Sequence, residues 1–188
     1  MPNSLTMKRN KIGDKLILTT GAIVASVALP QIVHTIGQIS GLGTSLGEVL
    51  LPMHFFVFLV GLYAGPLVGG VTGVCAPLIS FWLSGMPRLQ TLPFMMVELL
   101  GYGLIAGFLC KTRLHSFWKL LVAQIGGRLL RAVAIGVAVG CFDVQGITVL
   151  SVWKAVSVGL LGILLQWSVL PLLLFRLQSI NGEQHERS

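Results

Sequence analysis

The sequence predicts an all-α integral membrane protein, a bundle of about six transmembrane helices, and three observations carry that prediction. Of its 188 residues 54% are hydrophobic and only 10% charged, with a mean hydropathy of +0.87, whereas soluble domains carry roughly 25% charged residues. The apolar residues fall in runs long enough to cross a bilayer, and at roughly 20 residues per span plus short loops the length allows about six. Runs such as 59–83, LVGLYAGPLVGGVTGVCAPLISFWL, show no period of two, which excludes the alternating strands of an outer-membrane barrel.

Residues 1–15 are polar and carry Lys8, Arg9, Lys11 and Lys15, and the apolar run 16–33 follows at once. A secretory signal peptide has that layout, but the rest of the chain is also membrane-embedded, so a retained first span is expected. Gly21, Ala22, Ala25, Ser26 and Ala28 give this span small-xxx-small spacings that let another helix come close, inside the bundle or on a partner. The Gly/Ser-rich stretch 36–52 is too polar for a span and reads as an external loop able to cap a cavity. Its Gly41, Gly43 and Gly47 are spaced GxGxxxG, one residue too long for a dinucleotide fingerprint, with no βαβ unit around them. The second span, about 48–63, carries His54. A YAGP turn at 63–66 leads to the third, about 67–83, where Gly69, Gly70 and Gly73 suit close packing and Pro77 predicts a kink.

The fourth span, about 92–109, follows a polar turn holding Gly85, Pro87 and Arg88. Glu98 lies roughly 8 Å below Pro93, at which the apolar run begins, where an unpaired charge costs about 3 kcal/mol, and Tyr102, four residues on, shares its face. The fifth span, about 118–141, places Gln124, Arg128 and Arg131 on one face. Arg128 sits roughly 14 Å past Lys119 along the axis, too deep for a snorkelling end. Glu98 can pair one of these arginines and not both, which points at least one of them toward a ligand. An external loop, 142–149, with Asp143 and Gln145, precedes the sixth span, about 150–175, which holds Lys154 near its outer end and Gln166 deeper. The polar tail 177–188 is expected to be disordered. Cys75, Cys110 and Cys141 lack CxxC spacing and read as buried small apolar residues, not as disulfide partners or metal ligands.

The domains are therefore a cytoplasmic segment 1–15, a transmembrane substrate-binding domain 16–176 and a cytoplasmic tail 177–188. The net charge of +7 is scattered between apolar runs, a topology signal and not a nucleic-acid patch. With both termini and the 110–119 loop inside, the basic residues concentrate on the cytoplasmic side and only Arg88 is left in an outer loop, a strong positive-inside bias. His54, Arg88, Glu98 and Lys154 then fall in the outer half, with Arg128 and Arg131 near the middle. A cavity open to the outside follows, with more positive than negative groups in its wall. No ring of like charges marks a channel, no repeated halves mark a secondary transporter, and HExxH and paired aspartates are missing. No Walker motif is present, so the chain cannot power transport itself.

The stretch 50–109, with its LPMH, GLxAGPLxG, SFxLxGMP and ELxxYGLxAG patterns, and Gly127-Arg128 further on, resembles the substrate-specific S components of the energy-coupling factor (ECF) vitamin transporters of bacteria. It is most similar to the pantothenate type, although Arg131 stands where a less charged residue is expected. The resemblance implies a multi-pass subunit of the bacterial plasma membrane that captures a vitamin from outside, with no enzyme activity and no cofactor of its own. It implies docking through Gly21, Ala22, Ala25 and Ser26 on an ECF transmembrane coupling subunit driven by two ATPase subunits, which use the ATP. His54, Arg88, Glu98, Tyr102, Arg128, Arg131 and Lys154 are the candidate substrate-binding residues. Pantothenate is the preferred ligand because its carboxylate matches the surplus of cations. Cobalamin is the alternative vitamin, and a membrane chaperone or assembly protein the alternative class.

Overall fold

The computed structural model describes residues 4–43, 45–142, 148 and 150–186. Among these the chain forms eight helices and no strand: α1 Ser4–Ile39, α2 Ser45–Leu50, α3 Pro52–Ala64, α4 Pro66–Ser84, α5 Leu92–Leu109, α6 Ser116–Phe142, α7 Leu150–Val158 and α8 Leu160–Glu186. Six segments are long and apolar enough to cross a membrane: Gly13–Ile39, Ser45–Ala64, Pro66–Ser84, Leu92–Leu109, Ser116–Cys141 and Leu160–Leu177. An even number of crossings returns the chain to the side on which it started. The loop residues Asp143 and Gln145 lie outside the described residues.

Helix starts follow the prolines. Pro52 and Pro66 open α3 and α4 at the first helical position, where a missing N–H costs nothing and φ is already helical. Between α3 and α4 the chain reverses on Gly65 at φ 96°, a backbone that a side chain rarely adopts. The fourth span agrees with expectation at both ends.

Four expectations are corrected. The stretch 36–52 is mostly helical: α1 continues to Ile39, and α2 occupies 45–50 before a break at Leu51, whose φ is 49°. The sixth apolar run is assigned to α7 and α8 with only Gly159 between them, and helical hydrogen bonds continue across it, from Gly159 N–H to the Ala155 carbonyl and from Ile163 N–H to the Gly159 carbonyl; Gly159 and Gly162 lie so close to Leu51 and Leu50 that a Cβ on either would collide with them. The described residues of the tail, 177–186, are not irregular, since α8 runs on to Glu186, and 187–188 lie outside the described residues. Nor are the cysteines buried: Cys75 and Cys110 are half-buried and Cys141 is exposed.

The bundle is centred on α3, α4 and α5. Val57, Phe58, Leu99, Tyr102 and Ala106 are almost fully enclosed there, joined by Leu120 and Ala123 of α6 and Leu170 and Leu174 of α8. Glycines allow α3, α4 and α5 to touch backbone to backbone. A Cβ on Gly103 would overlap Gly69, one on Gly73 would overlap Leu99, and one on Gly61 would stand 2.9 Å from the Gly103 carbonyl. Large apolar side chains on the outside, Val24, Trp82, Phe108 and Phe175 among them, are exposed, as a lipid-facing surface requires.

The small residues of α1 divide between two faces. Ala22 packs inward on Val60 and Val68, and Ser26 is fully enclosed. Gly21 is exposed with open space around its Cα, and Ala25 is half-buried. The four do not form one outward stripe: a spacing of one residue turns a helix by about 100°, so Gly21 and Ala22 cannot share a face.

Candidate ligand-binding cavity

A cavity of about 490 Å³ opens at the end of the bundle where the α4–α5 turn, α2 and α7 meet. Its size falls within the roughly 300–1,000 Å³ of small-molecule sites. Helix α5 enters from this end and carries Glu98 into the wall, α6 brings Arg128 and Arg131 up to it, and α3 supplies His54. Arg88 from the α4–α5 turn and Lys154 from α7 complete the list, so six of the seven residues singled out in the sequence line one cavity. The seventh, Tyr102, does not.

Tyr102 is instead a support. It is 1% exposed, packs on Phe58 with ring centroids 4.7 Å apart, and donates its Oη–H to Glu98 Oε1 at 2.5 Å. Arg131 donates from Nη1 to the other oxygen, Oε2, at 2.6 Å. Both oxygens of a carboxylate that is 1% exposed are therefore engaged, and a buried charge held this way is secure because its partner is charged and its hydrogen bonds are short. Arg128 stands apart. Its Nη1 is 4.0 Å from Glu98 Oε1, too far for a hydrogen bond. His54, buried against the Tyr102 ring at 5.6 Å, has an Nδ1 with no hydrogen-bond partner among the described residues, and so does the Nε of Arg131.

Gln124, which shares the face of the two arginines in sequence, points elsewhere. It donates to Gln166 Oε1 at 2.9 Å and accepts from Trp167 Nε1 at 2.8 Å, tying α6 to α8. His34 of α1 was not singled out, yet it lies in the cavity wall against Gly47. Only its position near a polar stretch hinted at that. Glu48 also reaches the wall. Among the described residues no group of three or more His, Cys, Asp or Glu side chains is placed to hold a metal ion.

The lining is thus a concave, largely apolar pocket with convergent cations and one internally satisfied carboxylate, suited to binding and orienting an anionic small molecule. A family model described as ECF transporter, substrate-specific component, matches residues 15–180. No curated protein and no solved structure shows significant similarity to the chain. The matched region runs from within the first membrane-spanning segment to beyond the last and takes in every charged residue of the cavity, and the chain belongs to the family of substrate-specific components of ECF transporters.

Proposed function

We propose that this substrate-binding subunit captures pantothenate from outside a bacterial cell and delivers it to an ECF transmembrane coupling subunit powered by two ATPase subunits. As a member of its family the chain is a multi-pass membrane protein and a transporter subunit, not an enzyme. The observation that carries the choice of ligand is Arg128: a deep guanidinium in the cavity wall whose one acidic neighbour, Glu98, is already held by Arg131. A ligand carboxylate supplies the missing charge with two parallel hydrogen bonds. His54 and Arg131 line the same cavity, and on this reading their side chains meet the amide and hydroxyl groups of pantothenate. Cobalamin fits less well, since its corrin ring and nucleotide tail would leave most of the molecule outside 490 Å³, and it has no free carboxylate.

Calorimetric titration of the purified protein tests this reading. Pantothenate is expected to bind, and pantothenol, in which an alcohol replaces the carboxylate, about 100-fold more weakly, as the loss of one charge-assisted contact implies. Equal affinities would remove the anion site from the proposal.

Docking is tested separately on α1. Tryptophan at Gly21 or Ala25, on the outward side, is expected to abolish uptake by cells while the isolated subunit still binds ligand, because a large side chain blocks close helix approach. Ala22→Trp is expected to lower stability of the isolated subunit, since Ala22 packs on Val60 and Val68. Uptake that survives at both Gly21 and Ala25 places the contact on another helix.

A further inference from the structure

The charges of the cavity, on the capture reading above, lie in two tiers. The inner tier is Arg128, Arg131 and Glu98, and the outer is Arg88, Lys154 and Glu48. Glu98 sits roughly 9 Å along the axis from the start of α5 at Leu92. Arg88 precedes that start, in the α4–α5 turn, and Lys154 is on α7. Each tier holds one more cation than carboxylate. In the inner tier Arg131 takes up Glu98 and leaves Arg128. In the outer tier Glu48 is exposed, and no ion pair joins it to Arg88 or Lys154 within 4.0 Å among the described residues. His34, in the same wall, has a buried Nδ1 without a hydrogen-bond partner.

A ligand with a single carboxylate compensates one tier and leaves a surplus cation in the other. Arg88 and Lys154 are both exposed, so a second anionic group meets them through solvent-screened attraction at the mouth, a modest gain that adds to the contact made within. We propose that Arg88 and Lys154 form a second anion subsite, and that the chain prefers a ligand acidic at both ends: a carboxylate held within and a terminal phosphate ester held at the mouth. Arginine and lysine reaching in from two different elements suit a tetrahedral phosphate, which accepts hydrogen bonds in several directions.

The experiment compares two ligands of one scaffold, pantothenate and its ester phosphorylated on the primary hydroxyl, titrated into the purified full-length protein and into the double variant R88Q/K154Q. The ester is expected to bind about tenfold more tightly than pantothenate to the unmodified protein. That ratio is expected to fall to about one in the double variant, and to shrink with added salt because the outer tier is near solvent. Pantothenate binding without an advantage for the ester, or an advantage that survives in R88Q/K154Q, overturns the second subsite and leaves the pantothenate reading intact. Binding of the ester alone supports the subsite and overturns pantothenate as the natural ligand. No binding of either overturns both.

Discussion

Gly103→Val is expected to prevent assembly of the bundle. A Cβ at Gly103 meets the carbonyl and the following peptide of Gly69 on α4, and backbone cannot turn aside as a flexible side chain does. Overpacking a core typically costs about 1–3 kcal/mol when side chains can yield, and here whole helices must part, opening contacts along α3, α4 and α5 together. The loss is therefore expected to exceed about 3 kcal/mol, read as the disappearance of a monodisperse peak and of a cooperative thermal transition in detergent. Gly136→Ala is the matched control, because nothing lies within 4 Å of the added carbon. It is expected to change stability by less than about 1 kcal/mol. A Gly103→Val protein that elutes and melts like its parent would mean that α4 and α5 do not pack through this seam.

Arg128→Gln and Arg131→Gln are expected to fail in different ways, although the two arginines are one turn apart. Arg128 makes no hydrogen bond to Glu98, so its loss is expected to leave the melting temperature nearly unchanged and weaken pantothenate binding about 100-fold, close to 2.7 kcal/mol. Arg131→Gln removes the charge that compensates Glu98, and breaking a buried pair from one side costs about 3–5 kcal/mol. Affinity is expected to fall there too, since Arg128 is then the nearest cation left to Glu98 and is drawn from the ligand. Thermal unfolding and titration of both variants check this. A stable Arg131→Gln protein with normal binding, beside an unstable Arg128→Gln, reverses the assignment.

The membrane bundle was legible because hydrophobic runs report spans directly. The fourth span could be placed to the residue, with Pro93 at its head and a polar turn before it. Deep charges were legible for the same reason: in an apolar run, Glu98, Arg128 and Arg131 have no bland explanation, and helical spacing puts the two arginines on one side of their helix, although that this side meets Glu98 is decided by how α5 and α6 pack. What a carboxylate does with its two oxygens was not legible. Spacing allowed Tyr102 to face either the ligand or Glu98, and the choice depends on Phe58 and its neighbours closing over the ring. The close approach at Gly159 was hidden because the side chain it meets is that of Leu51, more than a hundred residues earlier. On α1 the composition announced a close-packing helix, but which small residues face inward is decided by Val60 and Val68 on other helices.

The glycine seam also determines where the molecule can give. Helices α3, α4 and α5 are fused along their backbones and form a stiff wall, whereas α7 buries no residue and α8 meets its neighbours only sparsely. A strain applied anywhere on the assembly concentrates in the weaker joint, as load on a hinged panel gathers at the hinge. Any widening of the mouth is therefore expected on the side of α7 and Lys154, and the side that carries Glu98 is expected to keep its shape.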